Sequence, residues 1–279
     1  AGAPGALPMR AHKITVYLVL VLGALATVYP FVWMVGTAFK TLPEASTDSL
    51  RLFPETWQWG NLAATFRAAP FGRYFLNSLL VSVIVCLSVC LTSLMAGYAF
   101  ARLRFPGRGL LFMITLCSMM VPFEAVFVPN FVLITRLGWY NTYFALIVPW
   151  CANAFSIFLM RQAFLGIPED YYDAARVDGC GHLRFLFRIG IPLVKPMLVT
   201  VALFAFLGSY NALLWPLIVT ADEKMRVVQV GLTSFYSDAG TRLNLLMCAS
   251  TVVILPTVIL YFLAQRHYVE SALGSGIKG

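Results

Sequence analysis

Ile167-Pro168-Glu169-Asp170-Tyr171-Tyr172-Asp173-Ala174-Ala175-Arg176-Val177-Asp178-Gly179, followed nine residues later by Ile189-Gly190-Ile191-Pro192, forms a polar, charge-dense island between two long apolar runs. The island stands out because the 279-residue chain is 60% hydrophobic and only 11% charged. Soluble domains carry about a quarter charged residues. One soluble core cannot absorb this much apolar surface, so the bilayer must be the solvent for much of the chain. The net charge of +8 does not point to nucleic acid, since the basic residues are scattered between apolar runs rather than massed on one face.

Working outward from the island, six segments approach the roughly 20 apolar residues that cross a hydrocarbon core: about 14–39, 75–100, 110–130, 142–164, 196–219 and 245–265. An all-α membrane protein with six transmembrane helices is expected. Pro30, Pro149 and Pro256 lie inside spans, with Pro129 and Pro216 near the ends of two others. Proline is tolerated there when neighbouring helices satisfy the freed carbonyls. Residues 1–13 read as a lead-in, 14–265 as the six-span domain with the island at 165–195, and 266–279 as a tail. Arg10 and Lys13 before an apolar run ending Ala24-Leu25-Ala26 imitate a cleavable signal peptide. The apolar character continues to Phe39, which favours an uncleaved span.

With the N-terminus inside, twelve of the 20 Lys and Arg fall in cytoplasmic pieces, Arg161, Arg176, Arg184, Arg188 and Lys195 among them. That bias puts both termini and the island in the cytoplasm. Loop 40–74, with Trp57 and Trp59, is expected to lie along the outer interface or form a short cap. Loop 220–244 is long enough to meet an external partner. No internal repeat is evident.

Within the island, Pro168 suits the start of a helix, and Glu169, Asp170 and Asp173 follow where the helix dipole favours acids. Gly179 is placed to end that helix in a left-handed conformation. A second helical stretch, about 181–188, carries Arg184 and Arg188 one turn apart, and Pro192 and Pro196 mark the start of the fifth span. The elements amount to helix, glycine turn, helix.

The spacing Asp173-Ala174-Ala175, three residues, Gly179, nine residues, Ile189-x-Ile191-Pro192 resembles the EAA loop of the membrane-spanning subunits of bacterial ATP-binding-cassette importers. Asp stands where the family has Glu, and Ile191 where it has Leu. Phe75-Leu76-Asn77-Ser78, Ala99-x-Ala101-Arg102, Leu214-Trp215-Pro216-Leu217 and the terminal Gly276-Ile277-Lys278-Gly279 look like the carbohydrate, maltose-like branch. The resemblance covers about residue 70 to the end. It implies a type I importer permease fold with a cytoplasmic coupling helix seated on an ATPase. In that role Asp173 makes a charged contact, Ala174 and Ala175 pack closely, Gly179 turns the chain, and Ile189, Ile191 and Pro192 complete the motif. It further implies a second homologous permease, two ATPase subunits that hold ATP and Mg, and an extracytoplasmic solute-binding protein, all at a bacterial inner membrane. The tail Gly276, Ile277, Lys278 and Gly279 is similar to one that reaches between the ATPases; a frayed end has the same composition.

The residues themselves contain no GxxxxGK[ST] phosphate cradle, so nucleotide chemistry belongs on another chain and no cofactor is expected here. The six cysteines form no CxxC pair, which speaks against zinc or a disulfide framework and for packing roles. Cys180, alone in the polar island, keeps a chance of reactivity. No catalytic or metal-ligating set is expected. For a solute pathway, Glu124 is the one acid inside a span, functional if deep and interfacial if near the end. Asn77, Asn153, Ser209, Tyr210 and Asn211 suit a hydroxyl-rich solute, and interhelical hydrogen bonding explains the same residue types. A glycerol-phosphate importer is the near alternative, although the one arginine within the span bounds, Arg161, falls at a cytoplasmic end. A proton-coupled secondary transporter is the alternative of another class; it needs buried titratable groups in several spans. A membrane enzyme would need a constellation that His12, His182 and His267 do not form.

Overall fold

The computed structural model describes residues 9–47, 51–236 and 240–275, with side chains described for 13–47, 51–236 and 240–265. In chain order its helices are α1 (Met9–Ala38), α2 (Leu42–Thr47), α3 (Gly60–Ala68), α4 (Phe71–Arg102), α5 (Arg108–Ser118), α6 (Phe123–Arg136) and α7 (Tyr143–Ile147). These are followed by α8 (Ala154–Leu165), α9 (Glu169–Val177), α10 (His182–Phe185), α11 (Ile191–Tyr210), α12 (Leu214–Val219), α13 (Val228–Leu232), α14 (Leu243–Val253) and α15 (Leu255–Ser275). No strand occurs among the described residues. The chain divides into two compact units, one of residues 1–69 with 232–254, the other of 70–231 with 255–279.

In the first unit α1 is apolar on all sides, and most of Ile14–Phe31 is exposed, as a lipid-facing helix requires. Its last turns pack on α14, which also covers α3. Loop 40–74 begins with a folded cap rather than a loose interfacial strip. Trp57 and Trp59 stack at 5.7 Å, and Phe39 tilts against both. Lys40 is fully buried; its Nζ donates to the Arg51 carbonyl at 2.6 Å. Asn61 donates to the carbonyls of Ala38 and Lys40 at 2.9 and 2.8 Å. These bonds satisfy the end of α1 in place of water.

The second unit is built around α4, which packs most extensively on α8 and α11; α15 lies against α11. Val81, Val85 and Val89 of α4 share one core with Met160 and Phe164 of α8 and Val201 of α11. Gly97 permits the close approach of α4 to α8: a Cβ there would stand 2.7 Å from Met160 Cβ and 2.9 Å from the Arg161 nitrogen.

Among the described residues, five stretches are long and apolar enough to cross a membrane: Lys13–Ala38, Phe71–Arg102, Tyr143–Leu165, His182–Tyr210 and Leu243–Gln265. The expected span at 110–130 is not one straight helix. It is the pair α5 and α6, bent by 97° at a short break. Pro122 explains the break, since proline disfavours helical backbone at the residue before it; its own ψ is 139°. The expected span at 196–219 also shifts. The island's second helix runs without a stop into the membrane segment, and α12 is a separate short helix beyond it. Between α10 and α11, Leu186–Gly190 forms a π turn in which the Ile191 N–H donates to the Leu186 carbonyl, five residues back. Pro192 has no N–H to offer the Arg188 carbonyl, and its ring crowds that carbonyl, so the turn widens.

Candidate functional site

The island folds as its capping pattern predicts except at Pro168, which was expected in the first turn and stands one residue outside α9, at φ −55° and ψ 144°. Glu169 and Asp170 occupy the first turn of α9. Gly179 has φ +70°; its N–H donates to the Arg176 carbonyl at 3.0 Å, and the Cys180 N–H donates to Ala175 at 2.8 Å. This paired closure is the Schellman motif, whose left-handed position favours glycine.

Of the motif residues, Asp173 and Ala174 are exposed, and Asp173 makes no hydrogen bond or ion pair among the described residues. Ala175 is buried against the spans. Ile189 and Ile191 flank the end of the π turn, half-buried against the same core, while Pro192 is exposed. Apolar side chains also face outward here: Val177 is 89% exposed and Leu183 66%. Gly276, Ile277, Lys278 and Gly279 lie outside the described residues.

The island is tied to α4 by residues to which the sequence reading gave no such role. Tyr172 Oη and Tyr98 Oη both meet His182 Nδ1, at 2.7 and 3.1 Å. Phe185 packs edge-on to Tyr172 at 5.1 Å. Arg102 Nη2 donates to the Phe164 carbonyl at 2.9 Å and also to that of Ile167, closing the end of α8 where the island begins. The Tyr98/Arg102 spacing of four on one helix face was the available signal. Arg102→Ala leaves the Phe164 carbonyl its bond from the Ile167 N–H at 3.3 Å but strips the Ile167 carbonyl of its donor, which costs about 1–3 kcal/mol when left unpaired. Limited trypsin digestion should then cut at Arg176 or Arg184 several-fold faster than in the wild type.

A cavity of about 260 Å³ opens between α4, α8 and α11 in the second unit. It gathers Asn153 and Ser209 from the expected pathway residues, together with Ser78, Trp150 and Trp215. Trp215 is held by an Nε1 bond to the Ala145 carbonyl at 2.8 Å.

None of the other candidate pathway residues lines this cavity. Asn77 is a buried structural anchor: its Nδ2 donates to the carbonyls of Lys224 and Arg226 at 2.9 and 2.8 Å, and its Oδ1 accepts from Tyr143 at 2.7 Å. Its amide is saturated by the loop it holds. Tyr210 is buried and stacked on Phe206 at 5.5 Å, away from the cavity lining. Asn211 is exposed and accepts from Gln229. Glu124 is exposed in the first turn of α6, where the helix dipole favours an acid. The six cysteines are free thiols.

Long lipid-compatible helices, a cavity between three of them and an exposed helix–turn–helix are the features of a multi-pass membrane transport protein. Residues 88–271 match the profile of the binding-protein-dependent transport system inner membrane component. The chain belongs to that family, the membrane-spanning permeases of ABC importers. It is 33% identical to the arabinooligosaccharides transport system permease protein AraQ of Halalkalibacterium halodurans, over 92% of this chain and 93% of that one. It is 31% identical to the sn-glycerol-3-phosphate transport system permease protein UgpE of Pectobacterium atrosepticum, over 95% and 98%. Its fold matches a chain of a bacterial ABC transporter that imports the acidic polysaccharide alginate, with a TM-score of 0.83 at 22% identity, over 95% of this chain and 99% of that one.

Proposed function

We propose that this chain is a permease subunit of an ATP-driven, binding-protein-dependent carbohydrate importer. Its partners would be a second homologous permease, two cytoplasmic ATPases carrying ATP and Mg, and an extracytoplasmic solute-binding protein. The observation that carries this reading is the island's division of labour. Asp173 and Ala174 present an unpaired charge and a small flat surface outward, while Ala175, on the same short helix, is locked into the spans. A rigid push on the outer face of α9 is thereby delivered through Tyr172–His182–Tyr98 to α4, and through the π turn to α11. Both termini and the island would face the cytoplasm, with residues 276–279 close to the ATPases. The absence of a phosphate cradle from the sequence assigns hydrolysis to the partners.

The test is purification from native membranes with whatever co-assembles, followed by reconstitution. An ATPase pair and a second permease should be recovered, with hydrolysis stimulated by solute-loaded binding protein. Asp173→Arg should leave assembly of the spans intact and lower solute-stimulated hydrolysis roughly tenfold, the worth of about 1.4 kcal/mol at a charged contact. An isolated chain that transports without ATP would overturn the reading.

A further inference from the structure

We infer that the cavity between α4, α8 and α11 is a subsite, carried by this chain itself, for a single electrically neutral sugar ring. The inference rests on the importer reading and narrows its substrate class. Among the described residues, all that line the cavity belong to the second unit, and none of them is Asp, Glu, Lys, Arg or His. A phosphate or carboxylate taken out of water without a cationic partner is strongly disfavoured, and sites for such groups are built with Arg or Lys. An anion therefore has nothing to hold it here, whereas hydroxyl groups do.

Three polar groups in the lining are unused by the fold. Asn153 Oδ1 is occupied as the cap of α8, accepting from the Ser156 nitrogen at 2.9 Å and Oγ at 3.2 Å. Its Nδ2 has no partner among the described residues, and neither do Ser209 Oγ and Trp150 Nε1. By contrast, Trp215 Nε1 is consumed by Ala145, and Ser78 Oγ accepts from the Val228 nitrogen at 2.8 Å. The cavity thus combines aromatic walls, suited to the apolar face of a pyranose, with a few free polar groups that can fix its hydroxyls. Its volume of about 260 Å³ lies just below the usual range of ligand pockets, about 300 to 1,000 Å³. That admits one ring and not an oligosaccharide chain. Successive rings of a longer solute would pass through it one at a time.

Ser209→Cys in the purified transporter complex gives a direct readout, the rate of labelling at that position by a charged, water-soluble maleimide, followed by peptide mass spectrometry. Arabinotriose and N,N′-diacetylchitobiose at millimolar concentration are expected to slow labelling about fivefold or more, as occupancy at about four times Kd gives. sn-Glycerol-3-phosphate at the same concentration should leave the rate unchanged. Asn153→Asp keeps an acceptor for the α8 cap but removes the donor, and should abolish the protection. Protection by the glycerol phosphate, equal rates with every probe, or no labelling because lipid or a neighbouring helix fills the cavity would each overturn the subsite. Loss of ATP-stimulated transport in the unmodified complex would instead overturn the importer reading, so the two failures are distinguishable.

Discussion

Gly97→Val is expected to abolish accumulation of folded protein. The α4–α8 crossing has no room for a side chain at this position: a Cβ would fall 2.7 Å from Met160 Cβ, 2.9 Å from the Arg161 nitrogen and 3.0 Å from the Met160 carbonyl carbon. Two of those three atoms are backbone, so no rotamer change relieves the contact. The helices have to separate, and with them the shared core of Val89, Met160 and Phe164. Overpacking a tight core costs about 1–3 kcal/mol, and more where backbone must move. Here the effect should reach or exceed the top of that range. Detergent-solubilised Gly97→Val should lose the monodisperse peak in size-exclusion chromatography, and Gly97→Ala should keep part of it with a lowered Tm. Wild-type yield and Tm in the valine variant would show that α4 and α8 are not locked at this point.

The second large effect is expected at Gly179, and it should separate folding from coupling. A Cβ at Gly179 meets nothing within 4 Å, so space is not the constraint. The constraint is φ +70°, a left-handed conformation that costs an L-residue roughly 1–2 kcal/mol and a β-branched one more. Valine should drive the backbone out of that region and break the closure from Cys180 to Ala175. The reach of α9 relative to α10 then changes while the spans stay packed. In the reconstituted importer, transport should fall at least about tenfold while basal ATP hydrolysis persists. Gly179→Asn should retain most transport, since asparagine tolerates the left-handed region. Equal transport in the valine and asparagine variants would remove the turn from the coupling route.

Much of this architecture was readable from residue order. The helix–glycine–helix island follows from Pro168, the acids of the first turn and Gly179, because capping acts over four or five neighbouring residues. The long spans follow from uninterrupted apolar runs, for the bilayer leaves backbone polar groups no partner but their own helix. The bend in the third span was not legible because composition does not register a backbone break; Pro122 acts through local sterics at Val121 rather than through hydropathy. The start of the fifth span was misplaced for a related reason. Two prolines looked like a boundary, whereas a π turn absorbs the first and lets the helix continue.

The solute pathway was less legible. Asn77, Asn153, Ser209, Tyr210 and Asn211 are equivalent in a list of polar residues on apolar helices. Which of them hold loops and which face a cavity depends on partners up to 149 residues away, as in the bond from Asn77 to the Arg226 carbonyl. The polar island, then, with its caps, its turn and its outward acid, was determined by neighbouring residues, because hydrogen-bond closure and left-handed backbone are local. Its anchorage through Tyr98, Arg102 and His182, the close approach at Gly97 and the neutral cavity emerge only when distant helices pack, because each is a property of facing surfaces that no single segment contains.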